Sequence, residues 1–260
     1  MNGELYQICM LVNAARNAIS NKQEFTYLYN EYENFINFSF LPHKAFFGKK
    51  CHKAENVQEW FQYCVKKGMY DIKFLTPLQV EDRALLGFAN VGRSCILTFY
   101  KNYFVSYWVA KWEFENTLRK WNITYQEYQW DNPPANPPQF DNNIEELKDI
   151  LIKISAFADQ IEFKEFGNIF RNAYDILSGV SEIPDKNING KLMCMPAISD
   201  EKKRLFYASS IADVFGAMGS WNDSPPYYAH MKGLDDEYER LSNELLKQIR
   251  LAALYAINES

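Results

Sequence analysis

The spacing of apolar residues predicts that the first half of the chain combines helices with a sheet. Between residues 4 and 19, apolar positions recur every three or four residues, the spacing of one buried helical face. A second helix is expected to begin after Asn56, a good N-cap residue, and to end at Gly68. Between these helices, residues 24–40 are rich in aromatics at spacings of two or three, which favours two strands or one bent strand.

Short alternating stretches follow the second helix and predict more strands. The predicted strands are residues 70–75, 84–89, 94–100, 103–111 and 121–130. Lys101-Asn102 is expected to be a two-residue hairpin turn. Residues 42–54 contain Gly48 and six cationic or imidazole side chains, so we expect a loop there. The first half is therefore predicted to be an α+β unit with an antiparallel sheet.

A proline-rich segment follows the predicted sheet. Residues 131–143 contain four prolines, which remove backbone donors and fix φ, so neither a helix nor a central strand is expected. Composition, charge and periodicity all change across this segment. We therefore predict a domain at 1–130, a linker at 131–143 and a second domain at 144–260.

The second half shows helical spacing in four stretches. They begin near Ile144, Ile161, Asp200 and Leu234, and the last of them starts with three acidic residues, which favour a helix N-terminus. Residues 183–196 are expected to be a loop. Four amphipathic helices of this length predict a domain resembling a four-helix bundle.

Composition narrows the class of protein. The chain has 260 residues, a net charge of −5 and five scattered cysteines, an odd number that suits reduced thiols rather than a disulfide framework. No apolar run is long enough for a membrane helix, and Glu4 stands where a signal peptide needs positive charge, so a cytoplasmic protein without a membrane partner is expected. Residues 141–260 hold 13 basic and 20 acidic side chains, a charge of −7, which disfavours nucleic acid and permits a basic partner.

One segment near the C-terminus must stop a helix, turn the chain and start another helix. Residues 215–228 read Phe-Gly-Ala-Met-Gly-Ser-Trp-Asn-Asp-Ser-Pro-Pro-Tyr-Tyr, and two glycines with a double proline cannot all be helix interior. Gly219 can adopt the positive φ that ends a helix, and Pro225 suits the first position of the next turn. The segment is therefore predicted to be a tight corner.

This corner resembles a group of small bacterial helical domains of unknown function that share a Gly-Gly-Met-Gly-Ser-x-Asn-Asp-like corner between their last helices. The resemblance covers residues 144–260, with a specific motif of nine residues, 215–223. Ala217 stands where many of these domains have glycine, and Trp221 where they more often have an aliphatic residue. Such domains occur near polymorphic toxins and other conflict systems, so the resemblance implies an immunity or interaction protein. It implies nothing about residues 1–130.

Two interpretations of the corner stay open at this point. In the structural one, the corner only turns the chain and Trp221 is a wedge in the core. In the functional one, aromatic and acidic residues form a partner-binding patch, a composition that is common at interface hot spots. The residues of that patch would be Trp221, Asn222, Asp223, Tyr227 and Tyr228.

Candidate chemistry is sparse in this sequence. His43, Cys51, His52 and Cys64 fit none of the paired zinc spacings, so no metal site is predicted. His230 follows Asp223 by seven residues and could pair with it, but no nucleophile motif surrounds Ser220. The segment 87–92 lacks the features of a phosphate-binding loop, and no cofactor is expected.

The aromatic strands 94–114 have the composition of a platform that stacks single-stranded nucleic acid. Because alternation turns half of each strand inward, most of these rings are instead expected in the core, and any exposed ones could hold a protein.

The sequence thus favours a non-enzymatic protein-binding protein, such as an immunity protein bound to a basic toxin. The alternative is an enzyme or nucleic-acid-processing factor with a site between the two domains. The oligomeric state is not predicted.

Overall fold

The computed structural model describes residues 1–45, 48–50, 52–90, 93–185 and 195–259. Within these ranges helices and strands are both abundant, and the fold is of the α+β class, as predicted. The helices are α1 (Gly3–Asn21), α2 (Val57–Lys66), α3 (Ile144–Gln160), α4 (Lys164–Leu177), α5 (Asp200–Ala212), α6 (Pro225–Met231) and α7 (Asp235–Asn258). The strands are β1 (Glu33–Ser39), β2 (His43–Ala45), β3 (Gly48–Lys50), β4 (Lys53–Ala54), β5 (Met69–Leu75), β6 (Cys95–Tyr100), β7 (Val105–Glu115) and β8 (Lys120–Gln129).

The chain divides into two compact units. The sheet unit comprises Gln7–Leu75 and Arg93–Pro138, and the helical unit comprises Met1–Tyr6, Thr76–Gly92 and Gln139–Ser260. Residues 1–6 and 76–92 thus belong with the C-terminal helices, although they are distant from them in sequence. The linker role of residues 131–143 stays a prediction.

The sheet is mixed, which corrects the prediction of an antiparallel sheet. Its six strands lie in the order β4-β1-β8-β7-β6-β5, and β1 runs parallel to β8 while the other neighbours are antiparallel. The alternation of inward and outward side chains is the same in parallel and antiparallel strands, so the pattern could not reveal the direction of β1. Strands as far apart in sequence as β1 and β8 are free to pair in either direction.

Four local predictions need correction. Strand β6 ends at Tyr100 and β7 begins at Val105, so the connection between them is longer than the two-residue turn predicted at Lys101-Asn102. Residues 84–89 contain no strand; a 3-10 turn spans Arg83–Leu85, where the Asp82 carboxylate accepts a hydrogen bond from Ala84 N at 2.8 Å. The predicted loop 42–54 contains the β2–β3 hairpin and β4, while Phe46, Phe47 and Cys51 lie outside the described residues. Residues 24–32 contribute no strand, so β1 alone accounts for the stretch predicted as two strands or one bent strand.

Large aromatic side chains form the core of the sheet unit. Helix α2 begins as predicted, with the Asn56 side chain accepting from Glu59 N at 2.9 Å, and ends before Gly68 at φ 95°. It buries Trp60, whose ring stacks on Phe38 of β1 at 4.5 Å and meets Trp108 of β7 edge-on at 5.9 Å. In the aromatic strands 94–114, Phe99, Tyr100, Trp108 and Trp112 are buried as predicted, whereas Tyr103 and Phe114 are exposed.

Four of the helices in the helical unit pack against one another in pairs. Contacts join α3 with α4, α4 with α5, α5 with α7, and α7 with α3. Their apolar stripes are buried, as the helical spacing predicted. The short helix α6 is an additional element that the sequence did not predict. The described part of the loop 183–196 has no regular structure, and residues 186–194 lie outside the described residues.

Two buried arginines attach the segment 76–92 to α7 within the helical unit. The guanidinium of Arg83 lies 2.9 Å from the Glu239 carboxylate, and Arg250 donates a hydrogen bond to the Pro77 carbonyl. Arg83 also lies over the ring of Tyr238, with 5.8 Å between its Cζ and the ring centroid. These contacts explain why this segment belongs to the same compact unit as helices that begin more than fifty residues later. Among the helices described, none has the apolar length needed to cross a bilayer.

Candidate functional site

The corner between α5 and α6 is built around Trp221, which is completely buried. Its indole Nε1 donates to Ser242 Oγ of α7 at 2.8 Å, and its carbonyl accepts from the Tyr238 hydroxyl at 2.7 Å. Burial raises the pKa of Tyr238 to about 12, so this hydroxyl keeps its proton at neutral pH. The rings of Phe166, Phe170 and Tyr238 lie 5.3, 5.4 and 5.6 Å from the indole. Trp221 is thus the core wedge of the structural interpretation and presents no surface to a partner.

Two glycines make the turn possible. Gly219 has φ 77°, and a Cβ there would meet no atom within 4 Å, so only the backbone conformation requires glycine. Gly216 has φ 149°, and a Cβ there would also lie 3.0 Å from the Leu86 carbonyl oxygen. Backbone conformation alone therefore requires glycine at Gly219, whereas conformation and close packing together require it at Gly216.

The polar residues of the corner hold its shape. The Gly219 N–H donates to the Asp223 carboxylate at 2.8 Å, and the Ser220 hydroxyl donates to the Gly216 carbonyl at 2.6 Å. Asn222 is half-buried, and its Nδ2 donates to the Tyr238 hydroxyl at 3.3 Å. Asn222 is therefore part of the internal network, whereas Asp223 stays exposed at the start of α6.

The exposed side of the corner carries large apolar and aromatic side chains. Met218 is 94% exposed at the tip of the turn, and on α6 the exposed fractions are 63% for Tyr227, 42% for Tyr228 and 66% for Met231. Together with Asp223, these residues are referred to as the corner surface. Tyrosine and methionine are enriched at protein interfaces, and here they are grouped on one turn and one short helix rather than scattered singly.

Aromatic contacts connect the corner surface to the buried wedge. The ring of Tyr227 lies 5.8 Å from that of Tyr228, which meets Phe163 edge-on at 5.0 Å. Phe163 lies 6.3 Å from Phe166, and Phe166 in turn contacts Trp221. A continuous chain of rings thus runs from the core to the exposed tyrosines.

Polar contacts fix α6 at its C-terminal end. Lys232 donates to the Gln160 carbonyl at 2.8 Å and to the Glu162 carboxylate at 2.7 Å, which joins α6 to the turn between α3 and α4. This cation lowers the pKa of Glu162. His230 Nδ1 lies 2.9 Å from the Asp235 carboxylate at the start of α7. Several contacts therefore fix the helix that carries much of the corner surface. A surface fixed in this way loses less conformational entropy when a partner binds.

The acid–base pair considered for Asp223 and His230 does not form. Asp223 accepts from Gly219 N, and His230 contacts Asp235. The side chains are separated because Asp223 lies just before α6, whereas His230 lies near the end of that helix, next to the start of α7.

Of the histidine and cysteine candidates of the sheet unit, Cys64 and His52 serve packing in this structure. Cys64 is buried and accepts a hydrogen bond from the Tyr100 hydroxyl at 3.5 Å, and burial raises the pKa of its thiol. The His52 ring stacks on Tyr63 at 3.9 Å. Cys51 lies outside the described residues, and the His43 side chain is not described. Within the described ranges, no three His, Cys, Asp or Glu side chains are grouped as metal ligands.

Of the five residues predicted for a binding patch, the structure leaves Asp223, Tyr227 and Tyr228 exposed, half-buries Asn222 and buries Trp221. Sequence reasoning missed Met218 and Met231. A signal for Met231 was available, since it lies four residues after Tyr227 and so on the same helical face. Comparison with family models, curated proteins and solved structures finds no match to this chain. The resemblance of the corner to small bacterial helical domains stays a prediction.

Proposed function

We propose that this chain is a non-enzymatic protein-binding protein whose partner docks on the corner surface. The observation that carries the proposal is the exposure of Tyr227, Met231 and Met218 on a helix and turn that the rest of the unit holds in place. Binding sites commonly combine exposed anchors with a rigid support, because a pre-ordered surface loses little entropy in the complex.

The resemblance of residues 144–260 to domains near toxin genes gives this proposal a specific form. In this form, the chain is an immunity protein that binds a basic toxin in the cytoplasm and covers the toxin's active site. The proposal therefore includes a cytoplasmic location and a bundle of α3, α4, α5 and α7 that presents α6 to the partner. Its support is the motif at 215–223 and the pairwise packing of those four helices.

Quantitative affinity capture tests the proposal. The full chain, the variant Tyr227→Ala/Met231→Ala and the control Val180→Ser are immobilised and exposed to lysate of the native host. Val180 is 75% exposed but lies beyond the end of α4, outside the corner surface. The expected result is a protein bound by wild type and control and lost by the double variant, followed by reproduction of the binding with purified partner.

The immunity form of the proposal has its own test. The captured protein is expressed alone and together with this chain, and growth is measured. Growth arrest that the wild type relieves and the double variant does not would support an immunity role. Equal capture by the wild type, the double variant and the control would contradict the corner surface as the binding site.

A further inference from the structure

The corner surface lies in a part of the chain that has more acidic than basic groups. Residues 141–260 contain 13 Lys and Arg against 20 Asp and Glu. Several cations of this part are already paired: Lys148 with Glu145, Lys153 with Asp149, Arg171 with Asp159, Arg204 with Glu182, and Lys232 with Glu162. Local pairing therefore leaves the surplus of negative charge uncompensated.

Asp223 belongs to that surplus and is the charged member of the corner surface. It is exposed, and no cation among the described residues lies within ion-pair distance of it. One carboxylate oxygen, Oδ2, accepts from the Gly219 N–H at 2.8 Å, which orients the group. An oriented carboxylate binds an incoming cation with less loss of side-chain entropy than a freely rotating one.

Asp223 and Tyr227 lie close together at the start of α6. Asp223 precedes the N-cap Ser224, and Tyr227 N bonds to the Ser224 carbonyl at 3.1 Å in the first turn of α6. Asp223 itself lies outside α6, but it directly precedes the residue whose carbonyl Tyr227 N contacts, so the backbone brings the two residues close together. A guanidinium can therefore reach both groups at once, by stacking its plane on the tyrosine ring and donating to the carboxylate.

The net negative charge of residues 141–260 argues against other kinds of molecule binding at the corner surface. A second copy of this chain would bring a like-charged surface to the corner, and a nucleic acid would bring phosphates, so both would be repelled. Lysine has the required charge but lacks a planar group that stacks and donates two parallel hydrogen bonds. We infer that the protein partner places an arginine side chain on the corner surface, stacked on Tyr227 and paired with Asp223. This inference rests on the proposed function.

Peptide selection tests the inference directly, because it requires no purified partner. Random 12-residue peptides displayed on phage are selected on the full chain and counter-selected on Tyr227→Ala/Met231→Ala. Both substituted side chains are well exposed, so this variant is expected to keep the wild-type melting temperature, which is checked first. The retained peptides are sequenced and synthesised, and their Kd values are measured.

The expected result is enrichment of arginine over lysine in the retained peptides. Their Kd should rise roughly tenfold or more with Asp223→Asn and rise with added salt, while Glu201→Gln, which removes the same charge in the first turn of α5, leaves Kd nearly unchanged. Retained peptides without arginine enrichment, or insensitive to Asp223→Asn, would overturn the inference while leaving the docking surface intact. Failure to retain any peptide that distinguishes wild type from the double variant would count against both the inference and the proposed function.

Discussion

The indole of Trp221 donates a hydrogen bond to Ser242 Oγ at 2.8 Å, and this contact joins the corner to the N-terminal half of α7. The two residues are 21 positions apart, and both are completely buried. The pair satisfies a polar N–H that would otherwise be costly inside an aromatic core. It identifies Trp221 as the structural centre of the corner, around which the exposed residues are arranged.

Truncation of Trp221 is expected to be severely destabilising. Trp221→Ala should lower the free energy of unfolding by about 3–5 kcal/mol, because it removes a fully buried ring and leaves a cavity. Ser242→Ala should cost less, about 1–3 kcal/mol, since it only leaves the indole N–H without its acceptor. Urea unfolding measures both. Tyr227→Ala is the control, and a loss for Trp221→Ala no larger than for this exposed position would refute the core assignment.

The two glycines of the corner should differ in their tolerance of a side chain. Gly219→Ala is expected to cost about 1–2 kcal/mol, the penalty for a left-handed backbone conformation in open space. Gly216→Ala should cost more, because its Cβ would also press on the Leu86 carbonyl. Gly219→Asn should be milder than Gly219→Ala, since asparagine tolerates positive φ. Thermal melts of the three variants check this order, and an equal loss for all three would contradict it.

Glu4 should make stability depend on pH. The residue is 3% exposed and its carboxylate accepts from Asn90 N at 2.6 Å, and burial raises the pKa of Glu4 from 4.5 to about 6 despite that hydrogen bond. The native state therefore binds the proton more tightly than the unfolded chain, so this group's contribution to stability falls as pH rises from 4.5 to 6. The shift corresponds to about 2 kcal/mol.

The difference between wild type and Glu4→Gln isolates this effect, because the other carboxylates cancel. The free energy of unfolding of wild type relative to Glu4→Gln should fall by about 2 kcal/mol between about pH 4 and pH 7, as measured by urea unfolding at several pH values. Glu146→Gln removes an exposed carboxylate on α3 and serves as the control. A difference for Glu4→Gln that does not change with pH would rule out the proposed titration.

Arg83 should hold the segment 76–92 in the helical unit. Arg83→Met keeps much of the side-chain length but removes the ion pair with Glu239 and the hydrogen bond to Asn243, so we expect a loss of about 1–3 kcal/mol. Amide hydrogen exchange should also become faster across residues 84–90. Arg240→Met removes an exposed arginine of the same helix as Glu239 and should change little. Unchanged exchange in the Arg83 variant would show that other contacts hold the segment.

The local signals in the sequence determined much of the secondary structure. Asn56 and Gly68 bracket α2 because capping and positive φ depend on the residue and its immediate neighbours. The three- and four-residue spacing located α1, α3, α4, α5 and α7, since a buried helical face requires that period. The two glycines and the double proline marked the corner for the same local reason.

Three features were decided only by the tertiary structure. They are the direction of β1, the placement of residues 76–92 in the helical unit, and which aromatic residues of the corner are buried. Trp221 and Tyr227 are six residues apart and chemically similar, yet one is enclosed by Phe166, Phe170 and Tyr238 while the other is exposed. The partners that enclose Trp221 come from α4 and α7, and Arg83 finds its partners more than 150 residues away. Burial and pairing of this kind depend on how distant elements pack, which composition and periodicity do not encode.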